Sequence, residues 1–361
     1  MKNGNNSMSS KSIEWVDNAK FLGIFLVVLG HVISKGNGCY NNGVLLVIYR
    51  FIYLFHMPLF FVVSGFLYKK YGRVRKLILA LVIPYLMYQI VYLPVSIVHF
   101  KQHNDTLLTI IKCIMGIITG DGYETCISNP VCAPCWFIYT IILIRLFFEK
   151  IEINNHSAII ISSSCFLYMY FQNMYGWDLY FNIDTMIASI PFFLLGVLLR
   201  KTLKVTSGGG DILRNLSLAV ITFSLVMMVA YMSDGAQMNG PQMNCGVVFF
   251  YISGIAGFFF IYYLSSIRNT FFHKYIELIS RHTLFIIFYH WLLVVFVGKS
   301  GVIDLIGSMN SSAFEIIFSF VISFVILISS IPVISILRKK FPIVLGKYSN
   351  ISKTHVSDAA R

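Results

Sequence analysis

The chain is a succession of apolar runs, each close to the length that crosses a lipid bilayer. A helical span needs about 20 apolar residues to cover roughly 30 Å of hydrocarbon. Ten such runs can be marked, at 19–35, 44–68, 77–99, 136–148, 157–172, 186–200, 213–232, 245–266, 283–298 and 313–337. The stretch 107–119 is shorter, with Lys112 inside it and Gly120 after it, and reads as a re-entrant or interfacial segment of an outer loop. Composition agrees, because only 12% of residues are charged and 57% are hydrophobic. Soluble proteins carry about 25% charged residues, so a water-soluble fold of this chain would expose apolar patches throughout. A soluble cytoplasmic enzyme, a secreted disulfide domain and a disordered chain are thereby excluded. The expected fold is all-α: a polytopic membrane protein with about ten transmembrane helices and both termini cytoplasmic.

Basic residues test that topology, since Lys and Arg collect on the cytoplasmic side. With the N-terminus inside, 22 of the 28 Lys and Arg fall in cytoplasmic segments or, for Lys20, Arg200 and Arg214, at the cytoplasmic end of a run. Lys35, Lys101, Lys112 and Lys299 fall outside, while Arg50 and Arg145 lie within spans. The net charge of +13 therefore reads as orientation and contact with anionic lipid, not as a nucleic-acid surface. No nucleic-acid partner is expected, and the location is the plasma membrane.

Three regions are expected: a flexible cytoplasmic tail over 1–12, a membrane domain over 13–340, and a cytoplasmic tail over 341–361. The glycine run after Ser207 is a linker, because no Lys-Ser/Thr pair follows to make a phosphate loop. Cys126, Cys132 and Cys135 form a C-x5-C-x2-C cluster on the outer side. It lacks a fourth ligand, so a loop disulfide or free thiols are expected there and no metal.

Ionisable residues within spans are costly and mark function. Asp17, Lys20 and His31 lie along one stripe of the first span. At 1.5 Å per residue, Lys20 is roughly 16 Å and Asp17 roughly 21 Å from His31 along the axis. Asp17 therefore cannot orient His31, which excludes a Ser-His-Asp arrangement within this helix. His56 in the second span and His290 in the ninth fall near the same depth as His31, pointing to a shared polar chamber. The bland alternative is that each histidine bonds a neighbouring carbonyl as structural glue.

At these residues a family resemblance appears. "DNAKFLGIFLVVLGH" at 17–31 and "FHMPLFFVVSGF" at 55–66 resemble the membrane acyltransferase family three, and within it the fucose 4-O-acetylase-like branch. Looser likeness continues in "WFIYTIILIRL" at 136–146, "PFFLLGVLLRK" at 191–201 and "LFIIFYHWLL" at 284–293. The family's basic-residue-x10-His pattern falls on Lys20 and His31, with Lys where Arg is commoner. Its Arg-x-Arg pattern falls on Arg73 and Arg75.

The resemblance implies acetyl transfer from acetyl-CoA to a hydroxyl of a cell-surface or lipid-linked sugar, and so a glycan acceptor and membrane lipid as partners. His31 is then the candidate base, with His56, His290 or Tyr289 orienting it or donating to the oxyanion. Asp17, Lys20, Arg73, Arg75 and Lys76 form the expected donor-binding set, with Arg suited to the phosphates. Arg50 and Asp184, near outer helix ends, are the candidates for contact with sugar. Two other readings stand beside this one: a polysaccharide or lipid-linked-sugar exporter, and a peptidoglycan or lipid acyltransferase.

Overall fold

A computed structural model describes residues 13–35, 43–70, 74–101, 105–203, 212–267, 273–302 and 312–346. Helices dominate, as the apolar runs require, because inside a bilayer every backbone donor must be satisfied within its own segment. In chain order they are α1 (Glu14–Lys35), α2 (Gly43–Phe66), α3 (74–100, with a π-helical stretch at Ile78–Val82), α4 (Thr106–Thr119), α5 (Trp136–Lys150) and α6 (Asn155–Tyr175). They continue with α7 (Ile183–Thr202), α8 (Ile212–Met232), α9 (Val247–Ser265), α10 (His273–Ser280), α11 (Thr283–Lys299) and α12 (Ser312–Lys340).

Among the described residues, seven helices are long and apolar enough to cross a membrane, namely α1, α2, α3, α7, α8, α9 and α12. The pair α10 and α11, bent by 85° at their junction, makes an eighth when taken as one span. The expected count of ten is not reached by this measure, for identifiable reasons. Helix α5 has only 15 residues, and α6 carries Ser162, Ser163, Ser164, Gln172 and Asn173 among its apolar residues. The short run at 107–119 is a helix of 14 residues, held to α3 by the Tyr85 hydroxyl donating to the Ile117 carbonyl at 2.7 Å. The tail at 1–12 lies outside the described residues. So does the end of the chain from 347, whereas Pro342–Leu345 forms a 3-10 turn whose Val344 carbonyl accepts from the Tyr88 hydroxyl at 2.7 Å.

Helix α2 sits at the centre: every residue from Leu54 to Val63 is buried, as its all-round apolar sequence requires. It packs on α7 through backbone, not side chains. A Cβ on Gly65 would stand 1.9 Å from the Phe193 carbonyl oxygen, and one on Gly196 would stand 1.9 Å from the Val62 carbonyl oxygen. Each helix thus presents a glycine to the other's carbonyls, the close approach that small residues permit within membranes.

The ends toward the expected cytoplasm are tied by polar contacts. The Ser280 hydroxyl donates to Asp17 Oδ1 at 2.7 Å, and the Asn18 amide donates to the Ser265 carbonyl at 3.0 Å. Arg200 donates to the Tyr68 carbonyl at 2.7 Å. At the opposite ends, two loops fold inward over the bundle, 120–135 and 233–246. Asp121 Oδ2 accepts from Thr119 Oγ1 and Ser128 Oγ, each at 2.6 Å, and Ser96 donates to the Val131 carbonyl at 2.7 Å. Gln237 and Gln242 exchange backbone hydrogen bonds at 2.8 and 2.9 Å, closing the second loop as a small hairpin.

Because the atoms facing Gly65 are backbone, Gly65→Ala cannot be absorbed by a rotamer change. It is expected to lower stability by roughly 1–3 kcal/mol or more, while Gly43→Ala, which meets nothing within 4 Å, should leave it unchanged. Thermal unfolding in detergent, followed by gel filtration, compares the two.

Candidate active site

The three intramembrane histidines come together at one cavity, which His31 and His56 line, while His290 is fully buried against the His31 ring. The cavity is a pocket of about 190 Å³ lined by His31, Tyr49, Tyr53, His56 and Trp291 on the helices. Gly122, Ala133 and Pro134 from the first inward loop and Gln237, Met238 and Asn239 from the second form its roof. His31 occupies the middle. Its ring centroid is 5.3 Å from that of His290 and 5.2 Å from that of Trp291, and its Nδ1 is 3.5 Å from the Tyr53 hydroxyl. Tyr53 in turn stands 4.8 Å from His56, ring to ring. The helical period explains the grouping on α2, where Tyr49, Tyr53 and His56 at i, i+4 and i+7 share one face.

Two of the histidines have a set tautomer. A carbonyl oxygen can only accept, so His56 Nδ1–H donates to Ile52 at 2.7 Å and His290 Nδ1–H donates to Ile286 at 2.8 Å. In a neutral ring the remaining Nε2 is then a lone-pair acceptor. His290 Nε2 is buried and meets no hydrogen-bond partner among the described residues. This arrangement corrects one expectation: neutral His56 and His290 cannot donate to an oxyanion, because their only N–H is already engaged. Tyr289, the other expected donor, faces away and stands 3.1 Å from Ser329 Oγ on α12. Side-chain donors lining the cavity are instead the Tyr49 and Tyr53 hydroxyls and the Trp291 indole on the helices, and the Asn239 and Gln237 amides of the roof.

The remaining expected residues are dispersed. Asp17 is buried against Ser280, and Lys20, half-buried, follows it on α1. Arg75 and Lys76 are exposed at the start of α3, and Arg73 lies outside the described residues. Arg50 pairs with Asp234 at 2.6 Å, tying the outer part of α2 to the second loop. Asp184 is 3% exposed and accepts from the Tyr168 hydroxyl and from the Leu179 N–H. Neither Arg50 nor Asp184 lines the histidine cavity. A second group of cations, Lys274, Arg281 and Arg338, lines a cavity at the α10–α12 corner with Glu277 and His282. Hydropathy gives no signal for the α10 part of this group, because that eight-residue helix is too short to register as a span.

Two thiols of the first roof loop are shielded. Cys132 and Cys135 are buried, 1% and 0% exposed, on either side of Ala133 and Pro134. Burial, with Cys132 in contact, pushes the Cys135 thiol well above its ordinary range.

A family model described as an acyltransferase domain matches residues 13–338. The chain therefore belongs to acyltransferase family three and is a multi-pass membrane acyltransferase. The match spans every helix that contributes to the cavity and does not separate the family's branches. No curated protein and no solved structure matches the chain.

The Asp121 carboxylate bonds two hydroxyls at one end of the loop that carries the cavity wall. Asp121→Ala should loosen that loop and expose Cys132 and Cys135 to a maleimide reagent. In the parent protein only the exposed Cys126 of this loop should react. Mass spectrometry of labelled peptides reads the difference.

Proposed function

We propose that the protein is an O-acyltransferase of the plasma membrane. It moves an acetyl group from acetyl-CoA to a hydroxyl of a cell-surface or lipid-linked sugar, and it has ten spans with both termini in the cytoplasm. The observation that carries this reading is the histidine group: His31 and His56 line one cavity, His290 stands against His31, and His56 and His290 hold Nδ1–H on carbonyls with Nε2 left as acceptor. Such a ring is ready to take a proton from a hydroxyl without first changing tautomer.

In the proposed reaction the acceptor enters beneath the roof loops. One histidine nitrogen, with His31 the central candidate, takes the hydroxyl proton as the oxygen attacks the thioester carbon. The carbonyl oxygen gains negative charge and is stabilised by an amide of Asn239 or Gln237. The carbon–sulfur bond then breaks, and coenzyme A leaves as a thiolate that recovers the proton from the imidazolium. The donor's phosphates dock at the cytoplasmic end, where Lys20, Arg73, Arg75 and Lys76 supply positive charge. Asp17 supports this end by holding Ser280, and Arg50 and Asp184 hold the outer framework that carries the roof. Transfer to sugar rather than to another hydroxyl rests on the resemblance in the first two spans.

Purified protein in proteoliposomes, given radiolabelled acetyl-CoA and a panel of sugar acceptors, tests the reading. His31→Ala is expected to lower transfer by about 10²–10⁴-fold, with His56→Ala and His290→Ala also impaired. His156→Ala, exposed on α6, should transfer normally. Arg75→Ala should raise the KM for acetyl-CoA more than it lowers kcat. Wild-type transfer by all three cavity-histidine variants would overturn the assignment of the chemistry to this cavity.

A further inference from the structure

A second cavity, of about 430 Å³, adjoins the histidine cavity and shares Gly122, Ala133 and Trp291 with it. Its walls are two helix faces. On α3 the lining residues are Tyr92, Val95, Ser96 and His99, and on α11 they are Trp291, Val294, Val295 and Gly298. Both sets follow the i, i+3, i+4, i+7 spacing of a single helix stripe. One turn further in, the same stripes meet, with Tyr88 and Phe288 stacked at a centroid distance of 4.8 Å. Outward from that contact the helices part and leave a groove under Pro130 and Val131 of the first roof loop.

Among the described residues no side chain fills the groove beside Gly298, where a Cβ meets nothing within 4 Å. Protein interiors are close-packed, so a gap of this size between two spanning helices takes an occupant from the bilayer. The charge at its rim indicates which. The topology leaves only four lysines outside the membrane on the outer side, Lys35, Lys101, Lys112 and Lys299. Lys299 lines the outer end of this groove, beside His99. Lys101 is the residue on which the α3 wall ends. Cations are scarce on that face, and their placement beside an apolar groove fits a ligand with an apolar chain and an anionic head.

We propose that the α3–α11 groove seats a lipid-linked acceptor: a sugar joined through phosphate to a long apolar chain in the outer leaflet. The chain lies along Val95, Val294 and Val295, and the phosphate sits at Lys299. The sugar reaches past Trp291, about 12 Å further along α11 from Lys299, into the histidine cavity. This rests on the acyltransferase reading and narrows its acceptor to a lipid phosphate ester.

The test uses purified full-length protein and native mass spectrometry with three probes: a polyprenyl phosphate, the corresponding polyprenol, and phosphatidylcholine. One polyprenyl phosphate should be retained per chain and the other two should not. Lys299→Glu, a change at an exposed side chain, should lower retention about tenfold. Gly298→Trp should abolish it by filling the groove from a position where an added Cβ meets no atom within 4 Å. Equal retention of polyprenol or phosphatidylcholine would overturn the proposal and make the groove a seat for ordinary bilayer lipid. Unchanged retention in both variants would overturn it too. The failure of the parent reading is separable. If polyprenyl phosphate is retained but no acetyl reaches any acceptor, the function falls and the groove stands. If soluble sugars are acetylated while Gly298→Trp has no effect on a lipid-linked one, the groove falls and the function stands.

Discussion

A polar side chain inside a bilayer has no water to bond, and the histidines of this protein resolve that constraint within their own helices. His56 and His290 each donate Nδ1–H to the carbonyl four residues earlier, at 2.7 and 2.8 Å. The bond satisfies one nitrogen and by the same act dedicates the other to accepting. Structural glue and chemical preparation are thus one interaction, not rival explanations. His282, at the bend between α10 and α11, makes the same bond to Leu278 but lines a different cavity, with Lys274, Arg281 and Arg338. The carbonyl bond therefore sets a tautomer wherever it occurs, and only position turns that tautomer into a candidate base.

Position depends on α2. Its glycine contact with α7 brings two backbones together, and its opposite stretch carries Tyr49, Tyr53 and His56 toward α1 and α11. The Arg50–Asp234 pair fastens the outer part of the same helix to the second roof loop. Displacing α2 would shift His56 and that loop together, so the helix couples the packing of the bundle to the shape of the cavity. The roof is the other half of the site. Asp121, Ser96 and Gln89 hold the first loop, the last by accepting from the Cys132 N–H at 2.9 Å. The result is a cavity bounded by helices below and by loop backbone and amides above.

Much of the helical framework was legible in the sequence, because spans are set by length and apolarity alone. The three histidines were legible too, since an ionisable residue stands out against an apolar run. Three kinds of feature were not. The amphipathic helix α10 is short and partly polar, so nothing in hydropathy separates it from a loop. The roof loops carry Asn239 and Gln237 to the cavity from far along the chain, and no local pattern encodes such a meeting. Tautomers were invisible as well, because they depend on which carbonyl each ring meets. For the same reason Arg50 and Asp184 resembled free contacts for sugar, whereas their charges are engaged by Asp234 and by Tyr168 with Leu179.

The chemistry turns on the protonation pattern of His56 and His290, which can be observed directly. Solid-state nitrogen NMR of histidine-labelled protein in bilayers distinguishes a protonated from an unprotonated ring nitrogen, with His56→Ala and His290→Ala providing assignment. The expected spectrum at neutral pH shows His56 and His290 protonated at Nδ1 and bare at Nε2. Signals showing Nε2–H with a bare Nδ1 at these two residues would contradict the account, since neither could then accept a proton toward the cavity.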